Sequence, residues 1–95
     1  MAKPWRRSAP NLRFDEVALE DLHYWVREDR KMALRIFRLI DDIARDPFDG
    51  LGKPEPLKHE LAGSWSRRID GRHRLVYRVE GDEIRILACR SHYGE

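Results

Sequence analysis

Residues that could cleave RNA without a metal are spread over the second half of the chain. The carboxylate of Glu55 and the cation of Lys58 lie in a proline-rich segment, and arginines follow in Trp65-Ser66-Arg67-Arg68 and His73-Arg74. The segment Arg90-Ser91-His92-Tyr93 adds a histidine and a tyrosine. Together these groups offer a base, an acid and cations for a phosphate. None is specific by itself, because loop glutamates and surface arginines are usually just solvated.

The composition is that of one small, highly charged domain. The chain has 95 residues, of which 41% are hydrophobic and 38% are charged, and its formal net charge is +2. A chain of this length buries a single core. We interpret residues 1–10 as a disordered basic tail and residues 11–95 as the domain. Cations concentrate in the tail and from Lys58 to Arg90, and acids from Asp15 to Asp49, which predicts a basic face and an acidic helical side.

The cysteine and histidine content argues against several kinds of site. Cys89 is the only cysteine, so no disulfide can form within the chain, and we expect a cytoplasmic location. We interpret it as a small apolar filler rather than a nucleophile, because the thiol is predicted mid-strand with no clear base. The histidines show no paired ligand spacing, so we expect no metal and no other cofactor. No apolar run approaches the roughly 18 residues of a membrane span.

Local patterns in the first half predict a short strand followed by a helical hairpin. The strand is predicted at Asn11–Phe14, and a helix from Glu16 to about Asp29 with Asp15 as its N-cap. A second helix is predicted at Arg30–Arg45, where apolar residues recur at helical spacing, and Asp46-Pro47 ends it. Because the two helices are nearly contiguous, we expect them to lie antiparallel.

Three strands are predicted after a loop rich in glycine and proline at Phe48–Leu61. Turn signals separate them, and they should form an antiparallel meander packed on the helices. The predicted fold class is therefore α+β, with one small sheet. The strands are Trp65–Ile69, Arg74–Val79 and Glu83–Cys89, and the turns are Asp70-Gly71 and Gly81-Asp82.

The register of the last two strands follows from a two-residue turn at Gly81-Asp82. It pairs residues so that one face is apolar and faces the helices, while the other face is outward. The predicted pairs are Val79 with Ile84, Tyr77 with Ile86, and Arg74 with Cys89. The predicted helix-facing residues are Leu75, Tyr77, Val79, Ile84, Ile86 and Ala88, and the outward ones include Arg74 and Cys89.

The register of the first turn stays open between two alternatives. A three-residue loop sets Arg68 opposite Arg74, and a two-residue loop sets Arg67 there instead. We favour the first because it buries Trp65 and Ile69 more sensibly. Like charges opposite each other on adjacent strands are unfavourable. The pair makes sense if an anion sits between the two guanidinium groups, and otherwise it is two solvated surface arginines.

Seven segments, in order, carry a resemblance to a known family. They are Asp21-Leu22-His23-Tyr24-Trp25, Asp46-Pro47-Phe48, Gly52-Lys53-Pro54-Glu55-Pro56-Leu57-Lys58-His59, Leu61-Ala62-Gly63, Trp65-Ser66-Arg67-Arg68-Ile69, His73-Arg74-Leu75-Val76-Tyr77 and Cys89-Arg90-Ser91-His92-Tyr93. In this order and spacing they resemble the Txe/YoeB family of toxins, within the RelE-like group of toxin–antitoxin systems. The resemblance covers about Leu12 to Tyr93.

The resemblance implies a ribosome-dependent mRNA endonuclease that cuts the message in the A site and leaves a 2′,3′-cyclic phosphate end. It also implies a Phd/YefM-type antitoxin, operator DNA bound only through the antitoxin complex, and a possible homodimer. Position by position, Glu55 resembles the family's general base, His92 its general acid and Arg74 its phosphate-stabilising arginine. Lys58 and Arg68 match further positive positions, and Tyr93 matches the C-terminal tyrosine.

The chain departs from the family pattern mainly at its ends. Gly94-Glu95 follows the tyrosine at which the family usually ends, and Ser91 stands where an aromatic residue is common. Residues 1–10 extend beyond the usual start, as a mis-assigned start or an additional RNA-contacting arm. Strand alternation places His92 and Tyr93 on opposite faces, so both can serve one site only if the chain bends after Arg90. The alternative function is a non-catalytic module that binds an antitoxin, and DNA through it, or blocks the ribosome without cleavage.

Overall fold

The computed structural model describes residues 10–91, in which two helices pack on a five-stranded sheet. In chain order the elements are β1 (Asn11–Phe14), α1 (Glu16–Glu28), α2 (Arg30–Arg45), β2 (Glu55–Pro56), a 3₁₀ turn (His59–Leu61), β3 (Ser64–Arg68), β4 (Arg74–Glu80) and β5 (Glu83–Ala88). The predicted α+β class is confirmed. The predicted tail, apart from Pro10, lies outside the described residues.

The two helices bury one stripe each against the sheet. The predicted bounds of α2 are confirmed, and α1 ends one residue earlier than predicted, at Glu28. Both stripes have the spacing of an amphipathic helix that covers a core. The buried apolar residues of the helices are Ala18, Leu22, Trp25, Met32, Ala33, Ile36, Leu39, Ile40 and Ile43.

Asp15 occupies the N-cap position of α1, but its side chain makes no cap hydrogen bond. Its carboxylate instead accepts hydrogen bonds from Arg85 Nε at 2.8 Å and Nη2 at 3.0 Å. These bonds from Arg85 lower the pKa of Asp15, and they outweigh the opposing effect of burial. A bidentate, charge-assisted hydrogen bond is stronger than a bond to a backbone amide. Asp15 therefore connects the start of α1 to β5.

The sheet has two more strands than the predicted three-stranded meander. β1 pairs with β5 in parallel, and β2 pairs with β3 antiparallel, giving the order β1-β5-β4-β3-β2. The segment predicted as a loop at Phe48–Leu61 therefore contains the edge strand β2 and the 3₁₀ turn. Glu55 is thus held in the sheet, opposite Ser66 of β3.

The predicted pairing of β4 with β3 and with β5 is confirmed, except at the end of the β4–β5 hairpin far from its turn. Val79 pairs with Ile84, Tyr77 with Ile86, and Arg68 with Arg74. The remaining predicted pair, Arg74 with Cys89, is wrong, because an irregularity between Val76 and Tyr77 shifts the pairing by one residue, so that Val76 lies opposite Ala88.

The shift reverses the faces of the last residues of this hairpin, as a one-residue slip must. Cys89 was predicted to face outward, but it is fully buried in the core. Ala88 was predicted to face the helices, but it lines a cleft together with Arg74. Burial raises the pKa of the Cys89 thiol to about 12. The thiol therefore remains protonated and acts as an apolar filler, as predicted.

Candidate active site

Glu55 and Arg74 meet on the outward side of the sheet, across the strand that separates them. Arg74 Nη1, from β4, donates to Glu55 Oε1, from β2, at 2.6 Å. The same nitrogen donates to Ser66 Oγ of β3 at 3.0 Å. Ser66 is fully buried, whereas the side chains of Glu55 and Arg74 are 52% and 41% exposed. The structure therefore brings the two charged groups together where a ligand can still reach both.

The electrostatics of Glu55 follow from this contact. The hydrogen bond and charge of Arg74 lower the pKa of the Glu55 carboxyl, with smaller help from the charges of Arg68 and Lys53. Glu55 is therefore ionised at neutral pH and ready to accept a proton. A carboxylate held by a guanidinium is also a weakened base, so any ligand that draws Arg74 away strengthens it.

Arg68 and Lys58 contribute positive charge beside this pair. Arg68 is exposed and lies directly opposite Arg74, and its charge reaches the Glu55 carboxylate. The anion expected near these two arginines is thus supplied by the protein itself in the form of Glu55. Lys58 precedes the 3₁₀ turn, is exposed, and makes no ion pair with another residue in the 10–91 range.

An open cleft of about 800 Å³ adjoins Arg74. Its walls combine aliphatic side chains with three arginines and two carboxylates. The aliphatic and cationic parts suit a ligand that carries both a flat ring and a phosphate. The residues that line it are Asp15, Val17, Glu20, Leu57, Leu61, Ser66, Arg72, Arg74, Val76, Leu87, Ala88, Arg90 and Ser91. Lys58 lies in sequence between the lining residues Leu57 and Leu61, but it does not line the cleft itself.

The predicted site residues His92 and Tyr93 lie outside the described residues. The described chain ends at Ser91, which lines the cleft. The structure therefore brings together Glu55, Arg74 and Arg68, and it leads the chain to the cleft one residue before His92.

Comparison with known proteins identifies the family. A family model described as "YoeB-like toxin of bacterial type II toxin-antitoxin system" matches residues 14–93. The chain belongs to the YoeB-like toxin family. Its resemblance to the Txe/YoeB toxins is thereby confirmed.

Individual members of the YoeB-like family are similar over almost their whole length. A toxin YoeB from Mycobacterium bovis is 58% identical over 83 residues, covering 87% of this chain and 98% of that protein. A heterotetrameric YoeB–YefM toxin–antitoxin complex from Staphylococcus aureus contains a chain with a TM-score of 0.82 and 44% identity, covering 88% of this chain and 98% of that one. A YoeB dimer from the same species gives a TM-score of 0.82 and 43% identity, with 90% and 99% covered.

In this member of the YoeB-like family, sequence reasoning missed the role of Arg67. Its side chain is fully buried. Nη1 donates to Asp42 Oδ2 at 2.5 Å and to the Leu51 carbonyl at 3.0 Å, and Nη2 donates to the Asp46 carbonyl at 2.6 Å and more weakly to that of Asp49 at 3.4 Å. Nε donates to Tyr77 Oη at 3.1 Å. A signal was present, because strand alternation turns Arg67 inward once Arg68 faces outward.

The Arg67 contacts fix the segment that leads from α2 to Glu55. Three of its acceptors are backbone carbonyls of that segment, and the Tyr77 hydroxyl adds a bond to the Pro47 carbonyl at 2.5 Å. The Gly52 carbonyl then accepts from the Arg68 amide at 2.6 Å. The chain thus reaches β2 already bound to β3, so Arg67 holds the approach to Glu55 without touching it.

The Asp42–Arg67 pair predicts a specific loss of stability in acid. Burial acts to raise the pKa of Asp42, but hydrogen bonds from the Leu51 amide and from Arg67 and Arg45 prevail and lower it to about 2 from 3.8. Because the folded-state pKa is the lower one, this contribution is complete above about pH 4 and is lost as the pH falls through about 2. We expect Asp42→Asn to be less stable than the wild type at pH 6, and to lose less stability between pH 4 and pH 2.

Urea unfolding at a series of pH values measures this difference. The matched control is Asp41→Asn, which changes an exposed carboxylate next to Asp42 in sequence. It should follow the wild-type curve. Parallel pH curves for Asp42→Asn and the wild type would contradict the assigned role of Asp42.

Residues 10–91 contain no group of three or more histidine, cysteine, aspartate or glutamate side chains arranged to hold a metal ion. Neither α1 nor α2 is long and apolar enough to cross a membrane, and these are the α-helices in the described part of the chain.

Proposed function

We propose that this chain is a ribosome-dependent mRNA endonuclease that cuts the message in the A site by attack of a ribose 2′-hydroxyl. The observation that carries the proposal is the half-exposed Glu55–Arg74 pair at 2.6 Å, beside a cleft large enough for a nucleotide. It places a base next to a phosphate-binding cation. Membership of the YoeB-like toxin family supports the same conclusion.

In the proposed reaction, Glu55 takes the proton from the 2′-hydroxyl and the freed oxygen attacks the adjacent phosphorus. The bond from phosphorus to the 5′-oxygen breaks, and His92 donates a proton to that oxygen. The products are a 2′,3′-cyclic phosphate and a 5′-hydroxyl end, so protons and electrons balance without a metal. The two groups act as general base and general acid in one displacement.

The cations act on the charge that develops at phosphorus. Arg74 is the central one, with Arg68 opposite it and Lys58 just before the 3₁₀ turn. A phosphate that binds Arg74 competes with Glu55 for the same guanidinium, and this weakens the contact that depresses the pKa of Glu55. Substrate binding therefore activates the base as well as the electrophile. Tyr93 is assigned to substrate binding.

The proposed partners follow from relatives as well as from this chain. Since the Staphylococcus aureus YoeB forms a complex with YefM, we propose a Phd/YefM-type antitoxin for this chain, and operator DNA bound only through that complex. Because a YoeB dimer is known from Staphylococcus aureus, we also propose a homodimer for this chain. The proposed location is the cytoplasm, where ribosomes and messages are found.

Mapping message ends on programmed ribosomes tests this function. Ribosomes carrying a defined codon in the A site are incubated with the protein, and message ends are located by primer extension. We expect discrete cuts within the A-site codon and a 2′,3′-cyclic phosphate on the upstream fragment. Translation arrest with an intact message would instead support the non-catalytic module and would refute the endonuclease.

A further inference from the structure

The three residues that follow β5 are each held by side chains rather than by a neighbouring strand. Trp25 Nε1 donates to the Cys89 carbonyl at 2.8 Å, and the Cys89 amide donates to Asp21 Oδ2 at 2.9 Å. The Ser91 amide donates to His73 Nδ1 at 2.9 Å. Segments near a chain end are usually loosely held unless something ties them down. Here the amide and the carbonyl of Cys89, and the amide of Ser91, each form a hydrogen bond with a side chain.

The aromatic groups that hold this segment also contact one another, Tyr24 with Trp25 and Trp25 with His73. Asp21, Tyr24 and Trp25 are three and four residues apart, so they share one side of α1. The Arg90 guanidinium lies 3.6 Å from the Tyr24 ring centroid, and the Trp25 ring meets the His73 ring edge-on at 4.8 Å. Asp21 and Trp25 are 2% and 7% exposed. We refer to Asp21, Tyr24, Trp25 and His73 as the C-terminal clamp.

The position of His73 links the clamp to the phosphate-binding arginine. His73 directly precedes β4, and neighbouring residues of an extended chain point to opposite sides of the sheet. The His73 ring accordingly contacts Trp25 on the core side, whereas the Arg74 side chain reaches Glu55 on the outward side. Two residues adjacent in sequence therefore have separate roles: His73 binds the C-terminal segment, and Arg74 is the cation of the candidate active site.

We propose that the C-terminal clamp, through the hydrogen bond from the Ser91 amide to His73, fixes the backbone that leads to His92 and so positions that residue for proton donation. The inference rests on the proposed function, in which His92 is the general acid. His92 follows Ser91 directly, and Ser91 is bound by His73 and lines the cleft that contains Arg74. His73 acts through the backbone of Ser91, so it is a positioning residue and takes no part in the proton transfers.

The chemistry of the His73 contact supplies a matched pair of variants. Nδ1 accepts a hydrogen bond, so a neutral His73 carries its proton on Nε2. His73→Phe keeps an aromatic ring against Trp25 but removes the Nδ1 acceptor that binds the Ser91 amide. His73→Asn gives up the ring but places an amide oxygen close to where Nδ1 was.

Single-turnover cleavage on programmed ribosomes measures the effect. We expect His73→Phe to lower the maximal rate by roughly 100-fold, the loss typical of a misplaced catalytic group, with little change in the ribosome concentration that gives half the maximal rate. His73→Asn should recover most of the wild-type rate. Amide hydrogen exchange should be faster at Ser91 in His73→Phe, and close to wild type in His73→Asn.

A message with sulfur in place of the scissile 5′-oxygen locates the defect at the acid step. A thiolate leaves without being protonated, so an enzyme that lacks its acid should cut this message almost normally. We expect His92→Ala and His73→Phe both to be slow on the oxygen message and both to recover on the sulfur message. Glu55→Gln should be slow on both, because it removes the base.

The outcomes separate failure of the clamp from failure of the proposed function. If His92→Ala is slow and recovers with sulfur, but His73→Phe matches the wild type or stays slow with sulfur, the clamp proposal is overturned while the acid assignment stands. If His92→Ala cuts the oxygen message at the wild-type rate, the acid assignment fails and the clamp proposal fails with it. Circular dichroism and thermal melting confirm that each variant is folded.

Discussion

Glu55→Gln is expected to slow cleavage of ribosome-bound mRNA by roughly 100- to 10,000-fold, the usual contribution of a general base. Glutamine has nearly the same shape and can still accept a hydrogen bond from Arg74, but it cannot take a proton from a 2′-hydroxyl. Because the Glu55 side chain is 52% exposed, we expect the fold and the binding to ribosomes to survive. The measurement is the single-turnover rate at saturating ribosome concentration, with melting temperature recorded in parallel.

Glu60→Gln is the matched control for this prediction. Glu60 is an exposed glutamate in the 3₁₀ turn, five residues after Glu55 in the sequence, and its loss should leave the rate unchanged. Equal rates for Glu55→Gln and the wild type would show that another group is the base. Equal losses in the two variants would point to a general effect of negative charge rather than to proton transfer.

Arg67→Met is expected to lower the free energy of unfolding by about 3–5 kcal/mol, the usual effect of breaking a buried ion pair from one side. The substitution removes the buried cation that bonds Asp42, whose side chain is 14% exposed, and leaves it the Leu51 amide and the exposed Arg45. It also removes the donors to three backbone carbonyls between α2 and β2. The total free energy of unfolding of a protein domain is roughly 5–15 kcal/mol, so this loss would be a large part of it. Urea unfolding at pH 7 measures the loss.

Arg68→Met is the natural control for Arg67→Met, since the two arginines are neighbours on β3 but only Arg67 is buried. The control should change stability by no more than about 0.5 kcal/mol. If Arg67→Met is too unstable to purify, the double variant Arg67→Met with Asp42→Leu provides the measurement. It removes both charges and should be more stable than Arg67→Met alone. An equal effect of the two single arginine variants would disprove the role assigned to Arg67.

The candidate active site is held from two sides. Arg67 fixes the segment that carries the proposed base, and the C-terminal clamp fixes the segment that leads to the proposed acid. Arg74 lies between them, bonded to Glu55 and adjacent in sequence to His73. The side chains of Glu55 and Arg74 are half-exposed, whereas Arg67, Asp21 and Trp25 are buried. Precise placement of exposed groups by buried ones is what a reaction between fixed groups requires.

The elements set by local patterns could be predicted from the sequence. The apolar spacing in α2 predicted a helix at about Arg30–Arg45, as observed, because each turn of that helix places an apolar residue against the same core. Alternation and turn residues likewise predicted β3 to β5 and the pairing of Arg68 with Arg74. The residue types at Glu55, Arg74 and His92 suggested acid–base chemistry on RNA, and the resemblance then assigned each of them a role.

The tertiary structure decided what depends on contacts between distant segments. The parallel pairing of β1 with β5, the edge strand at Glu55 and the irregularity that buries Cys89 arise from energies that no short window of sequence contains. The sequence by itself therefore determined the fold class, the helices and the types of the reactive groups. Only the folded chain decided that Glu55 reaches Arg74 across Ser66, because that contact joins three strands whose pairing is non-local.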